Sequence, residues 1–323
     1  MKITINKKNT GSYYTPPILS DFIIFHLFSN YKFKKSIKLL EPSVGDGVFF
    51  DSLFNNKTFP KFNLSKHIQS LDIDAVEIEQ KAIDISKKKM GGYINKSKKI
   101  SYFNEDYLDY DKTNKKKFDL IIGNPPYIKY HHLSKAQIKL CEAIHKKSNL
   151  SPKSIKNIWT SFLVAGVQSL NEDGVLCFVL PAELLQVIYA KELRDLLRDS
   201  FKKIEIFAFN ELIFPSIEQD VIILICAKKQ TPGVSFYQVD KLNDLKKPSY
   251  VKENSNIHRE TLDKWTNYIL SDSELKFLDS FKQKLLPIKH YCRAEVGVVT
   301  AANDFFIVNQ NTIKEFKLQK VAT

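Results

Sequence analysis

The sequence predicts an α/β protein with a seven-stranded, mainly parallel, doubly wound sheet, followed by a partial second region at the C-terminal end. Short apolar runs recur through the first 230 residues, and most are followed by a turn and a longer helical pattern. The connection 209–220 is too short for a helical crossover. The seventh strand should therefore run antiparallel to its neighbour.

The predicted elements alternate along the chain, and each strand is a short run rich in apolar and β-branched residues. Strands are predicted at Ile37–Leu40, Ile73–Ile78, Ile100–Phe103, Phe118–Ile122, Val175–Leu180, Ile204–Phe209 and Val221–Ala227. Helices are predicted at Pro16–Ser29, where proline suits the first turn, and at Val48–Asn55, Gln80–Met90, Ile158–Leu170 and Ala182–Arg198. Turn residues at Thr231-Pro232-Gly233 and a Lys-rich stretch then predict a boundary between a domain at 1–230 and a second, incomplete region at 231–323.

Composition indicates the kind of partner and compartment. The net charge is +13, from 49 Lys plus Arg against 36 Asp plus Glu, which favours a polyanionic partner, although an AT-rich coding sequence could also enrich lysine. The four cysteines are far apart and form no C-x-x-C pair, so neither a metal site nor a disulfide framework is predicted. The N-terminus lacks a signal-peptide pattern and no apolar run could span a bilayer. A soluble cytoplasmic protein is expected.

A glycine loop follows the first predicted strand, in the sequence Glu41-Pro42-Ser43-Val44-Gly45-Asp46-Gly47. Glycines at the start of a helix let a ligand approach the backbone. The third glycine of a dinucleotide fingerprint is absent, and a plain strand-to-helix turn is an alternative explanation of this loop.

Three successive strand ends each carry an acid, namely Glu41, Glu77 and Asp106. In a parallel sheet these ends meet at the edge where ligands bind. Glu77 could accept hydrogen bonds from two ribose hydroxyls, Asp106 could accept one from an adenine amino group, and Glu41 suits a positive charge. Together they describe a site for S-adenosyl-L-methionine, although each acid by itself could be a solvated loop residue.

The sharpest motif is Asn124-Pro125-Pro126-Tyr127, directly after the fourth predicted strand. The exocyclic amine of adenine is a poor nucleophile, because its lone pair is delocalised into the ring. The Asn124 side-chain oxygen and the Pro125 carbonyl could accept both amine hydrogens and turn the lone pair towards a methyl donor. Tyr127 offers a face on which a flipped base could stack, although a Pro-Pro turn with a half-buried tyrosine is the structural alternative.

These motifs resemble the gamma class of DNA adenine N6-methyltransferases found in restriction-modification systems. The resemblance implies the class I S-adenosylmethionine-dependent methyltransferase fold, with the methionine end of the cofactor covered by a segment matching Gly11 to Pro17. The cofactor-binding residues it implies are Tyr14, Thr15, Glu41, Ser43, Gly45, Gly47, Glu77, Ile78, Asp106 and Tyr107, and the catalytic residues are Asn124, Pro125, Pro126 and Tyr127.

The resemblance also assigns the aromatic of Phe214-Pro215 to the other face of the flipped base, and the structural alternative is that Phe214 is a core residue. Val296 to Phe306 is similar to the start of a target-recognition domain. The partners implied are double-stranded DNA, a further or separate target-recognition region, and a cognate restriction endonuclease.

A Lys-rich stretch from His131 to Lys156 separates the catalytic motif from the next helix. It is either a solvated face or a surface for DNA phosphates. Its six lysines, opposed only by Glu142, are Lys135, Lys139, Lys146, Lys147, Lys153 and Lys156.

Other functions fit parts of the sequence. The same tetrad occurs in enzymes that methylate a glutamine amide of translation release factors, and methylation of cytosine N4 is chemically close. A catalytically idle DNA-binding subunit could keep the fold. The intact tetrad speaks against an idle subunit, and detectable methyl transfer would exclude it.

Overall fold

In a computed structural model, the described residues are 14–214, 219–247, 252–255, 265, 272–293 and 310–317. The chain divides into two compact units, Met1–Ser271 and Asp272–Thr323. Gly11 to Tyr13, Pro215 and Val296 to Phe306, which belong to the motifs above, lie outside the described residues.

The first unit is built on one sheet, which in the described part of the chain has nine strands in the order β3-β2-β1-β4-β5-β7-β6-β8-β9. The predicted mainly parallel, doubly wound α/β fold is confirmed, but the sheet has two strands more than the seven predicted, because β8 and β9 extend it beyond β6. The strands are β1 Ser36–Glu41, β2 Ser70–Val76, β3 Lys98–Phe103, β4 Phe118–Gly123, β5 Leu170–Pro181, β6 Lys203–Phe209, β7 Val221–Ala227, β8 Gly233–Val239 and β9 Lys252–Ser255.

The seventh strand is reversed, as the short connection before it predicts. β7 pairs antiparallel with both β5 and β6, whereas β1 to β5 are mutually parallel neighbours. β8 pairs parallel with β6 and β9 antiparallel with β8, so the sheet continues beyond the predicted boundary at residue 230.

The core lies on both faces of the sheet, because neighbouring residues of a strand point to opposite sides. In β4, Leu120 and Ile122 belong to one apolar cluster and Ile121 to the other. The strand β7 is buried along its whole length, which explains its unbroken apolar run.

Helices cover both faces. In the first unit they are α1 Pro17–Asn30, α2 Val48–Phe54, α3 Leu64–His67, α4 Gln80–Met90, α5 Tyr107–Thr113, α6 Lys135–Lys147, α7 Ile158–Ser169 and α8 Lys191–Ser200. The described helices of the second unit are α9 Asp272–Lys284 and α10 Gln310–Glu315. Among the described residues, none of the helices combines the length and apolar character needed to cross a bilayer.

The single helix predicted at Ala182–Arg198 is wrong. Two 3-10 turns, Ala182–Leu185 and Ile188–Ala190, precede α8. The buried Arg194 guanidinium donates to the carbonyl oxygens of Leu184 and Val187, at 2.9 and 3.1 Å, and so satisfies backbone groups that a continuous helix would pair.

The sequence interpretation missed α6 within the Lys-rich stretch. Ser134 and Gln137 form a capping box at its first turn, in which each side chain accepts from the other residue's backbone N–H. Ser-x-x-Gln before an apolar pattern is a helix-start signal that could have identified α6.

Candidate functional site

The loop between β1 and α2 requires glycine at two positions. Gly45 and Gly47 have φ angles of +54° and +79°, which side chains other than glycine rarely adopt. A Cβ at Gly47 would lie 2.4 Å from Ser86 Oγ, and a Cβ at Gly45 would lie 3.7 Å from the Tyr14 ring. The loop therefore passes closely between α4 and Tyr14.

Glu41, the last residue of β1, is fully buried at the base of this loop. Within the described residues neither of its carboxylate oxygens has a hydrogen-bond partner. Burial, with Asp46 and Glu77 nearby, raises the pKa of Glu41 well above its usual value. A buried acceptor of this kind is costly unless a ligand or a proton satisfies it.

Glu77 follows β2 directly and is held by the backbone on both of its oxygens. Gly45 N–H donates to Oε2 at 2.8 Å and Glu79 N–H donates to Oε1 at 3.0 Å. Burial raises the pKa of Glu77, although these two N–H groups oppose the shift. Each oxygen keeps a lone pair for a further donor. Ile78 beside it is 60% exposed at the edge of the cleft described below.

Asp106 caps the N-terminus of α5, accepting from Leu108 N–H at 2.9 Å through Oδ1. Its Oδ2 accepts from Gln137 Nε2 at 2.9 Å. The next residue, Tyr107, is buried, and its hydroxyl has no partner within the described residues. Burial raises the pKa of the Tyr107 hydroxyl, so it is a neutral donor.

The Asn124 to Tyr127 loop begins where β4 ends and lies against the glycine loop. Ser43 Oγ donates to the Asn124 carbonyl oxygen at 3.0 Å. Asn124 Nδ2 donates to Oγ1 of the buried Thr15 at 3.3 Å, which fixes the orientation of the Asn124 carboxamide. The Tyr127 hydroxyl lies 3.0 Å from Asn124 Oδ1 and 3.2 Å from the Val179 carbonyl oxygen. Its single proton serves one of these acceptors at a time.

These elements enclose a cleft of about 220 Å³ at the carboxyl end of the parallel strands. Nine predicted site residues line it, namely Tyr14, Ser43, Gly45, Glu77, Ile78, Asp106, Tyr107, Asn124 and Pro126. Residues that the sequence interpretation did not assign also line it: Pro42, Glu79, Ala82, Glu105, Ile128, His132, Gln137, Ile158 and Phe162. Most of these lie on loops or helices whose approach to the cleft no local motif signals.

The remaining predicted site residues lie outside the lining of this cleft. Among them are Thr15, Glu41, Gly47, Pro125 and Tyr127, of which Glu41 and Pro125 are buried. Phe214 is 5% exposed and belongs to the apolar cluster that contains Leu120 and Ile122. Its stacking on a base stays a prediction.

The six lysines of the Lys-rich stretch are all exposed. Lys135, Lys139, Lys146 and Lys147 lie on α6, Lys153 in the 3-10 turn Pro152–Ser154, and Lys156 before α7. At 3.6 residues per turn, Lys135, Lys139 and Lys146 fall on one face of α6. The exposed Glu142 lies on the same face, which therefore carries three lysines and one acid and stays a predicted phosphate-contacting surface.

Comparison with known families gives two matches. Residues 26–214 match the family described as Eco57I restriction-modification methylase. Residues 262–323 match the family described as the C-terminal domain of the type II methyltransferase M.Eco57I. The first match covers the glycine loop, the three acids and the Asn124 to Tyr127 loop.

Individual proteins show the same likeness. The type II methyltransferase M.AccI of Acinetobacter calcoaceticus is 24% identical over 98% of this chain and 56% of its own length. The type II restriction enzyme and methyltransferase RM.Eco57I of Escherichia coli is 25% identical over 61% of this chain and 20% of its own. The solved methyltransferase subunit of a Streptococcus thermophilus type I restriction-modification system has a TM-score of 0.56 at 20% identity, over 75% of this chain and 54% of that one. The chain thus spans little more than half of M.AccI.

The family and the fold imply S-adenosyl-L-methionine as the cofactor, and the residues present fit it. The cleft combines two glycines that permit close approach, a doubly anchored carboxylate at Glu77, and a second half-buried carboxylate at Asp106. The unpartnered Glu41 carboxylate beneath the loop suits a ligand with a positive charge.

Proposed function

Because this chain belongs to the Eco57I restriction-modification methylase family, we propose that it transfers the methyl group of S-adenosylmethionine to N6 of a flipped-out adenine in double-stranded DNA. One observation carries the proposal. The Asn124 to Tyr127 loop is fastened to the glycine loop through the Ser43–Asn124 hydrogen bond, so a base acceptor and the cofactor cleft share one wall.

Four groups hold the cofactor in this proposal. Glu77 accepts hydrogen bonds from the ribose hydroxyls with the lone pairs left by Gly45 and Glu79, and Asp106 accepts one from the adenine amino group. Ile78 supplies an exposed apolar surface for the adenine ring, and Glu41, buried beneath the glycine loop and outside the cleft lining, is assigned to the positive end of the cofactor. When bound, the cofactor supplies an electrophilic methyl group.

Asn124 and Pro125 act on the target amine. The Asn124 side-chain oxygen and the Pro125 carbonyl accept the two amine hydrogens, which localises the nitrogen lone pair for attack on the methyl group. Bound S-adenosylmethionine would supply the methyl group and leave as the neutral thioether, and the methylated nitrogen would release one amine proton to water. No covalent enzyme intermediate is needed. The rigid Pro125-Pro126 backbone fixes the direction of both acceptors.

Two aromatic residues would receive the flipped base. Tyr127, whose hydroxyl is anchored at Val179, presents its ring beside Asn124, and Phe214 is assigned to the opposite face of the base. Stacking on aromatic rings tolerates any base, so the amine acceptors rather than the rings select the reacting group.

The DNA-facing parts of the proposal rest on charge and on the C-terminal family match. The lysine face of α6 contacts phosphates, and residues 231–323 contribute to target recognition. Methylation would protect DNA against a restriction endonuclease of the same specificity.

The decisive experiment is base analysis after methyl transfer. DNA incubated with the protein and methyl-labelled S-adenosylmethionine would be digested to nucleosides and separated by mass. N6-methyladenine is expected. Label in N4-methylcytosine would replace the adenine assignment, and label only in a glutamine-containing peptide substrate would overturn DNA as the substrate.

A further inference from the structure

Gln137 forms a direct link between the Lys-rich helix α6 and the acid assigned to the cofactor adenine. It is half-buried in the first turn of α6, lines the cleft, and donates through Nε2 to Asp106 Oδ2 at 2.9 Å. The two residues are 31 positions apart in the sequence.

The orientation of the Gln137 amide is fixed by the chemistry of its two neighbours. The Ser134 backbone N–H can only donate, and it lies 3.1 Å from Gln137 Oε1. The Asp106 carboxylate can only accept when ionised, so the amide nitrogen must face it. A flipped amide would lose both hydrogen bonds.

This hydrogen bond completes the restraint of Asp106. Leu108 N–H holds Oδ1 and Gln137 holds Oδ2, so the plane of the carboxylate cannot rotate without breaking one of the two bonds. The lone pairs that remain point in fixed directions. A fixed direction is what a carboxylate needs to recognise a single N–H donor.

The same helix presents the lysine face. Gln137 lies about 180° around the helix axis from the mean direction of Lys135, Lys139 and Lys146, at 100° per residue. One face of α6 is therefore available to phosphates while the opposite face restrains Asp106. A shift of α6 would affect both.

The geometry points to Gln137 as a positioning residue: it orients Asp106 towards the adenine amino group of the cofactor and couples cofactor affinity to DNA bound on α6. The inference rests on the proposed function, which supplies the cofactor and the DNA. Gln137 itself is not assigned to the reacting atoms.

The first test measures base discrimination. Binding of S-adenosylhomocysteine and of S-inosylhomocysteine, which carries a carbonyl where adenine has its amino group, would be compared by calorimetry. The wild-type protein is expected to prefer the adenine compound by about 10-fold or more. Gln137→Leu, which keeps the volume and removes the donor, should reduce that preference at least about threefold by freeing Asp106.

Ser134→Ala is the matched control. It removes the serine oxygen of the same capping box and leaves the Gln137–Asp106 bond in place. Its preference for the adenine compound should equal that of the wild type. If Gln137→Leu weakened both compounds equally, its role would be structural and the inference would be wrong.

The second test measures coupling. A duplex DNA should change the dissociation constant of S-adenosylhomocysteine by about 5-fold or more in the wild type, within the usual range of linked sites. In Gln137→Leu the ratio of the dissociation constants with and without DNA should approach one. An undiminished change in this variant would overturn the coupling. Failure of the wild type to bind S-adenosylhomocysteine at all would overturn the proposed function as well, which separates the two failures.

Discussion

At the scale of single residues, the oxygen of Asn124 is the atom on which the proposed chemistry depends. Thr15 accepts from the amide nitrogen, Ser43 donates to the main-chain carbonyl, and Tyr127 donates to the side-chain oxygen, which the proposed function assigns to the target amine. The Tyr127 proton has an alternative acceptor at Val179. The hydroxyl can therefore release Asn124 Oδ1 when an amine arrives.

Replacement of Asn124 by Ala should reduce methyl transfer by about 10²- to 10³-fold, because it removes a preorganised acceptor from the developing charge. Binding of S-adenosylhomocysteine should be unchanged. Single-turnover transfer and calorimetry measure the two quantities. Tyr127→Phe is the milder comparison, since it keeps the ring and the Asn124 oxygen. Near wild-type transfer by Asn124→Ala would refute the catalytic assignment.

Glu77 is the second residue with a separable role. Glu77→Gln should weaken S-adenosylhomocysteine by roughly 10- to 150-fold, because a hydrogen bond to a charged group contributes about 1.5 to 3 kcal/mol. Glu79→Gln removes a charge from the same cleft without touching the bonds to Gly45, and serves as the control. Equal losses in the two variants, measured by calorimetry, would indicate a general charge effect and contradict a ribose contact.

At the scale of elements, the β1–α2 loop and the helix α6 each carry a feature that can be tested separately. The β1–α2 loop needs the positive φ of its glycines, and α6 carries a lysine face and a cofactor face on one rod. Each can be changed without altering the sheet. Substitution in the β1–α2 loop is predicted to change stability. Substitution on the lysine face of α6 is predicted to change the salt dependence of DNA binding.

Gly47→Ala should destabilise the protein by about 1 to 2 kcal/mol, the usual cost of a left-handed residue, with an added displacement of Ser86. Gly92→Ala is the control, since nothing lies within 4 Å of a Cβ there. Denaturant unfolding of both variants measures the difference. Equal stabilities would show that the loop can adopt another backbone conformation.

The triple replacement of Lys135, Lys139 and Lys146 by Gln should lower the slope of log DNA affinity against log salt by up to ~2.7, at about 0.9 per phosphate. Sequence preference should not change, because phosphate contacts carry no base information. The control is the triple Gln variant of Lys57, Lys61 and Lys66. These lysines precede the start of β2, whereas the cleft lies at the carboxyl end of the parallel strands. An unchanged slope in the α6 variant would identify a solvated face.

At the scale of the whole molecule, the sheet extends beyond the predicted catalytic domain at 1–230. β8 joins β6 in parallel, and Glu205 of β6 holds this end of the sheet to α1. Its buried carboxylate accepts from His26, Tyr31 and Tyr237 at 2.8, 2.7 and 3.1 Å. The proposed catalytic region at 1–230 and recognition region at 231–323 therefore both contribute strands to the same sheet.

The Glu205 site predicts a loss of stability in acid. Burial opposes ionisation, but the hydrogen bonds from His26 and Tyr31 outweigh it and lower the pKa of Glu205. A folded pKa below the unfolded value of 4.5 stabilises the protein above that pH, and the contribution is lost as pH falls through the folded pKa. The free energy of unfolding should fall below about pH 4.5, and less steeply in Glu205→Gln. An identical acid slope in both proteins would exclude Glu205 as the cause.

The sequence by itself determined which candidate site residues follow each strand. A glycine loop follows β1, acids stand at the ends of β1, β2 and β3, and Asn124 to Tyr127 follow β4. It could do so because a strand end and the loop after it are adjacent in the chain, and parallel strands bring such ends to one edge. Only the tertiary structure decided that Gln137 restrains Asp106, that Phe214 lies in a core cluster, and that β8 extends the sheet. These contacts join residues far apart in sequence through packing and strand pairing, for which local periodicity carries no signal.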